Sequence, residues 1–206
     1  MKVIAFNGSP HRDGTTRRGI GAIAEELEKA GVSCEIVHVG NSGVRPCAGC
    51  GTCRELKRCV FDDDMVNPSR EKVNGADGII LGSPVYYGGI AGGFKCFLDR
   101  LFFAGVNLKF KPAIAVAALR RSGGVFTFQQ LNNYLNLAQA IITPGFYWGA
   151  VYGNNGEEVL QDGEGMLLMR TLGRNMAWLL KILEAGKGTI PYPETEKRIM
   201  TNFIRS

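Results

Sequence analysis

The sequence predicts an α/β fold built on a parallel sheet, and three observations predict it. Short apolar strand patterns alternate with amphipathic helical patterns five times along 206 residues. The segment 76–83 ends a third strand whose run Gly78-Ile79-Ile80-Leu81-Gly82 is fully apolar, as expected of a strand covered by helices on both faces. Glycine-containing loops follow three of the strands, and the carboxyl ends of strands are where open α/β sheets bind their ligands. A composition of 45% hydrophobic and 21% charged residues suffices for one well-packed domain, expected over 1–185. The Pro-containing, charged remainder, 186–206, reads as a terminal arm.

The first strand, 2–6, runs into Asn7-Gly8-Ser9-Pro10-His11-Arg12-Asp13-Gly14-Thr15-Thr16 and then a helix over 17–30. Ile20, Ile23, Ala24 and Leu27 recur at the three-four spacing of a buried helical face, and Gly31 stops it. This hydroxyl-rich loop opens onto a helix N-terminus, where unpaired N–H groups and the dipole favour a phosphate. Ser9, Thr15 and Thr16 can donate hydroxyls and Arg12 can supply charge; the alternative is a helix merely capped by these residues. The loop lacks both the dinucleotide glycine pattern and the Gly-Lys-Ser/Thr of a P-loop, which argues against an ATPase or a Rossmann NAD site.

The second strand alternates over 33–39, with Cys34 a small buried residue and His38 on the polar side. Asp62-Asp63-Asp64 suit the start of a helix running to about Asn74, although three acids also suggest a divalent metal. The third strand ends at Ser83, and Pro84-Val85-Tyr86-Tyr87-Gly88 at its carboxyl end offers an aromatic wall and backbone groups for a planar ring. Two tyrosines covering a helix start is the competing reading. A helix over 92–101 follows, then a fourth strand, 112–119, a loop containing Ser122 and Gly123, and an amphipathic helix over 126–140. A fifth strand is expected over 143–152, a loop over 153–165 and a closing helix over 166–185.

Between the second strand and the next helix lies a cysteine-rich insertion, 45–60, holding four of the six cysteines. Cys47, Cys50, Cys53 and Cys59 follow C-x2-C-x2-C-x5-C, close to the run by which bacterial ferredoxins bind a cluster. The spacing reads as an iron–sulfur site. A structural zinc usually presents two CxxC knuckles with a longer spacer, a disulfide framework suits small secreted domains, and free thiols or a labile cluster complete the alternatives.

Charge and hydropathy limit the partners. The net charge of +5 is carried in scattered pairs without interleaved aromatics, which suits anionic cofactors or acidic partners and not nucleic acid. Apolar runs fall far short of a membrane span, and residues 1–6 enter a strand without a signal-type cleavage site, so the expectation is a cytoplasmic protein with no membrane association.

Taken together, Gly8-Ser9-Pro10 with Gly14-Thr15-Thr16, the four cysteines with Asp63-Asp64-Met65, Ser83-Pro84-Val85-Tyr86-Tyr87-Gly88 and Asp99-Arg100 resemble the NADPH-dependent FMN reductase family, most closely its iron-sulfur flavoprotein branch. The likeness covers the first half of the chain in the family's order and is weak beyond Leu119. It implies a flavodoxin-like three-layer sandwich with a five-stranded parallel sheet in the order 2-1-3-4-5. It implies FMN phosphate held by Ser9, His11, Arg12, Gly14, Thr15 and Thr16, and a ring lined by Ser83, Pro84, Val85, Tyr86, Tyr87 and Gly88, with Ser122 and Gly123 from the third loop. His11 stands where many relatives carry a second basic residue, and the third loop is less polar than in many relatives. The implied activity is an FMN-dependent oxidoreductase relaying electrons between a donor, ferredoxin or NAD(P)H, and an acceptor, through a 4Fe-4S cluster, in a homodimer or homotetramer. A plain FMN reductase without a stable cluster and a non-enzymatic flavodoxin-type carrier are the alternatives.

Overall fold

The structure is a computed structural model that describes residues 1–197 and Ile199. Five strands lie in the parallel order β2-β1-β3-β5-β6, formed by β1 (Lys2–Asn7), β2 (Ser33–His38), β3 (Gly78–Tyr86), β5 (Pro112–Leu119) and β6 (Ile141–Ile142). This is the expected strand path. Two further short strands bring the sheet to seven: β4 (Gly89–Ile90) folds back antiparallel on β3, and β7 (Ala150–Tyr152) pairs parallel with β5.

Side-chain alternation along the strands produces three layers. Val3 and Ala5 of β1, Ile80 of β3 and Ile114, Val116 and Ala118 of β5 face one core, against α1 (Thr15–Lys29) and α6 (Gly163–Gly186). Ile4 and Phe6, Ile79 and Leu81, and Ala113 and Ala115 face the other. That second core is covered by α3 (Val66–Asn74), α4 (Gly92–Phe103) and α5 (Gly124–Leu137). Both faces are therefore buried, which is why β3 and β5 read as continuous apolar runs. Burial pushes the Cys34 thiol on β2 up to about 11, in keeping with an inert packing residue.

The expected fifth strand is divided. β6 pairs with Pro112 and Ala113 and β7 with Ala117 to Leu119, so the seven residues between Ile142 and Ala150 span what three cover on β5 between Ala113 and Ala117. The surplus bulges out around Pro144, which has no N–H to give the ladder, and leaves Phe146, Tyr147 and Trp148 exposed. Helices begin slightly earlier than periodicity suggested: α1 includes Thr15 and Thr16, and α6 starts at Gly163, capped by Asp162, whose carboxylate accepts from the Gly165 N–H at 2.9 Å. Asp64, one residue before the Met65 cap position, accepts from the Val66 N–H at 3.0 Å at the entry to α3. A short helix, α2 (Cys53–Leu56), forms inside the cysteine insertion.

Among the described residues, no helix is long and apolar enough to cross a membrane. Part of the arm, residue 198 and residues 200–206, lies outside the described residues. Its earlier portion packs back: Tyr192 stacks on Phe110 with ring centres 5.4 Å apart, and Thr195 accepts from Lys109 at 2.6 Å.

Candidate functional site

Strand order reverses between β1 and β3, and the crevice at such a switch point is where doubly wound sheets bind ligands. The loop after β1 sits there. Buried Asn7 organises it from within, accepting from Ser9 N–H at 3.1 Å and donating to the Arg12 carbonyl at 3.2 Å. The Ser9 hydroxyl accepts from His11 N–H at 3.1 Å, and Gly8 N–H donates to the Gly82 carbonyl at 2.8 Å, tying the loop to β3. His38, which register places beside Asn7, reaches the Ser9 carbonyl at 2.8 Å and so must carry its proton on Nε2. Asn41 donates to the Pro10 carbonyl at 2.7 Å.

This fixed loop holds its donors open. Among the described residues, the N–H groups of Arg12, Asp13, Thr15, Thr16 and Arg17 have no hydrogen-bond partner. The Thr16 hydroxyl is buried without one either. A buried polar atom seldom goes unpaired, and several unpaired donors at the start of a fifteen-residue helix make an anion site, so these residues fit a phosphate. Arg12 makes no ion pair among the described residues and lines the same cleft. Thr15 differs from its neighbour: its hydroxyl donates to the carbonyls of Gly153 and Asn155 at 3.2 and 3.1 Å, tethering the loop after β7.

The cleft encloses about 680 Å³, within the range of small-molecule sites. It runs from Ser9 to Thr16, including His11 and Gly14, past Pro84, Val85 and Tyr86 to Arg120 and Asn155. Ser122 and Gly123 line an adjoining cavity of about 670 Å³ with Phe126, Tyr147 and Trp148; Leu119 borders both. Gly123 has a left-handed φ of 85°, and a side chain there would meet Val85 and the Gly88 backbone, so this loop closes onto the aromatic one.

Ser83 departs from the expected ring contacts. It is fully buried, donates to the Pro84 carbonyl at 2.8 Å and accepts from Ala91 N–H at 3.1 Å, so its hydroxyl serves the connection to α4. The expected loop after β3 is a tight hairpin, with Tyr86 opposite Gly89 and positive φ at Tyr87 (50°) and Gly88 (76°), the two-residue turn that matches strand twist. Glycine accepts that geometry freely; Tyr87 does not, and it stands fully exposed. A strained, exposed aromatic is a candidate for a binding role, which substitution tests. Replacing Tyr87 by Gly is expected to stabilise the protein by about 1 kcal/mol in its cofactor-free form while weakening retention of a planar ring. Chemical denaturation and flavin fluorescence check the two halves; unchanged flavin emission and affinity would remove Tyr87 from the site.

The second candidate site is the cysteine insertion. Cys47, Cys50, Cys53 and Cys59 all line one cavity of about 340 Å³, lined also by Arg100 and Phe103 of α4 and by Ala104 just beyond it. Among the described residues, no three His, Cys, Asp or Glu side chains converge tightly enough for a single metal ion. All four thiols line that one volume, and four soft thiolate donors are the ligand type a cluster takes. Hydrogen bonds from the Thr52 hydroxyl and N–H hold the Cys50 thiol below its ordinary value. Asn67, nearly buried, clasps Cys59 by accepting from its N–H at 2.9 Å and donating to its carbonyl at 3.0 Å. Of the three acids, Asp62 accepts from Asn67 and Arg58, Asp63 pairs with Arg45 and Asp64 with Arg100, so they brace the insertion.

The sequence reading missed Asn7, His38 and Arg100 as site residues. Arg100 carried a visible signal: it falls on the same helical face as Phe94, Phe97 and Leu101, where a lone charge demands a partner.

Comparison with known proteins shows the family. A family model described as NADPH-dependent FMN reductase matches residues 1–155. An iron-sulfur flavoprotein of Methanocaldococcus jannaschii is 34% identical over 197 residues, covering 89% of this chain and 100% of that protein. An iron-sulfur flavoprotein of Methanosarcina thermophila is 29% identical, covering 91% and 99%. A solved flavodoxin from the domain Archaea superposes with a TM-score of 0.58 at 14% identity over 88% of this chain and 99% of its own, a likeness of fold.

Proposed function

Since the chain belongs to the NADPH-dependent FMN reductase family, in its iron-sulfur flavoprotein branch, and is an FMN-dependent oxidoreductase, we propose that it passes electrons between a reduced donor and an acceptor using a 4Fe-4S cluster beside its flavin. Donor candidates are ferredoxin and NAD(P)H. FMN supplies two-electron and one-electron chemistry when bound, and a cubane cluster supplies one-electron chemistry.

The protein's own part is placement. The open N–H groups from Arg12 to Arg17, the Thr16 hydroxyl and Arg12 would hold the phosphate. Pro84, Val85 and Tyr86 would border the ring, with Ser122 and Gly123 across from them. Cys47, Cys50, Cys53 and Cys59 would hold the cluster. α4 links the two sites: it begins directly after the aromatic hairpin, and Arg100 at the cysteine cavity lies eight residues from Gly92, about 12 Å of helix axis. Arg54, Lys57 and Arg58 surround the insertion with positive charge suited to an acidic donor. The exposed Phe126, Tyr147 and Trp148 support assembly as a homodimer or homotetramer, and a reducing cytoplasm suits the thiols.

The observation that carries the cluster is that all four cysteines line one cavity. Anaerobic reconstitution followed by metal and acid-labile sulfide analysis tests it. About four iron and four sulfide per chain, with flavin bands in the visible spectrum, are expected. Stoichiometric zinc, or flavin without iron, would reduce the protein to a plain FMN reductase.

A further inference from the structure

We propose that Arg100 is a positioning residue for the cluster, fixing and electronically tuning it through Cys59 alone among the four ligands; this rests on the cluster reading above. Arg100 is 1% exposed, the largest fully buried side chain among the described residues. Its Nε and Nη2 both donate to the Cys59 Sγ at 3.3 Å. Its other donations go to the Asp64 carboxylate, to the Phe61 carbonyl at 3.2 Å and to the Arg45 carbonyl at 3.4 Å. The Phe61 ring lies 5.3 Å beneath it. Every polar contact of this guanidinium is therefore with the segment 45–64.

Ion pairing explains only part of the arrangement. A buried guanidinium needs a carboxylate, and Asp64 supplies one. It does not need a sulfur, which is a poor acceptor in its neutral form. Two converging N–H donors on one Sγ are the geometry by which proteins tune sulfur-ligated clusters: they draw electron density from the ligand and stabilise the more negative, reduced cluster. Asn67 grips the Cys59 backbone from both sides, so the sulfur is held against Arg100 and not merely near it. Among the described residues Cys47 and Cys53 receive no side-chain donor and Cys50 meets only the neutral donors of Thr52, so Cys59 is the corner that a charged donor reaches.

The test is an EPR-monitored redox titration of the full-length, anaerobically reconstituted protein and its variants. Arg100→Met is expected to keep its iron and lower the reduced-to-oxidised ratio at fixed potential about tenfold, a shift of about 59 mV to the negative for one electron. Arg100→Lys, which keeps the charge but loses the two-pronged contact, should shift in the same direction by less. Asp64→Asn, which removes the counter-charge, should shift to the positive. Should the Met variant fail to fold, the opposite signs for Lys and Asn decide the matter. Unchanged potentials and EPR spectra at full iron content would leave Arg100 a structural ion pair and overturn the proposal. A wild-type protein that takes up no iron and sulfide overturns the cluster reading first, before any variant is measured, and this inference with it.

Discussion

A methyl group added at Gly40 is expected to cost the protein about 3 kcal/mol and, with it, the phosphate site. An ideal Cβ at Gly40 would stand 1.8 Å from the Ser9 carbonyl oxygen and 2.1 Å from its carbon. Backbone at that distance must move, and here it is held from three directions. Ser9 N–H is bound to Asn7, its carbonyl to His38 at 2.8 Å, and the next carbonyl, of Pro10, to Asn41 at 2.7 Å. Overpacking costs about 1 to 3 kcal/mol, and each hydrogen bond lost adds about 1 kcal/mol. For a chain of this size the midpoint of thermal unfolding should fall by roughly 6 to 12 °C. FMN retention should fall with it, because the displaced residues are those that hold the loop's donors open. Gly43→Ala is the control: its φ of 66° strains a side chain, but nothing lies within 4 Å. It should cost about 1 kcal/mol and leave FMN affinity intact. A Gly40→Ala protein with wild-type melting and flavin content would show that the two loops part freely.

Much of this architecture could be read before the fold was known, for a physical reason. Strand burial on both faces and helical three-four spacing are local patterns, and they located the first four strands of the main path and the buried face of α1. The phosphate loop and the cysteine insertion were legible because their donors are contiguous, Ser9 to Thr16 and Cys47 to Cys59. What was not legible comes from pairings between distant segments. His38 serves the loop only because parallel register sets it beside Asn7, and Arg100 serves Cys59 across 41 residues. The division of the fifth strand was hidden because Phe146, Tyr147 and Trp148 have strand propensity yet sit on the surplus residues that the ladder cannot accommodate. The two threonines of the loop looked equivalent in sequence, and the structure pairs the Thr15 hydroxyl while leaving that of Thr16 without a partner among the described residues.

That difference makes Thr16→Val an informative substitution, expected to have opposite effects with and without cofactor. Among the described residues the Thr16 hydroxyl is buried and unpaired, and its methyl lies against β3, 3.0 Å from where an added Cβ at Gly82 would stand. Valine keeps the methyl packing and removes the orphan hydroxyl. In the cofactor-free protein that relieves a desolvated, unsatisfied group, so stability should hold or rise by about 1 kcal/mol. With FMN present the same change deletes a hydrogen bond to a charged phosphate, worth about 1.5 to 3 kcal/mol, and affinity should fall roughly 10- to 100-fold. Thr15→Val should behave in reverse. Its hydroxyl is spent on the carbonyls of Gly153 and Asn155, so the cofactor-free protein should lose about 1 kcal/mol. FMN affinity should change less than in the Thr16 variant. Denaturation of the apoprotein and fluorescence titration with FMN measure the two quantities separately. If Thr16→Val destabilises the apoprotein while binding FMN as tightly as before, the hydroxyl has a partner within the fold and the phosphate does not rest on it.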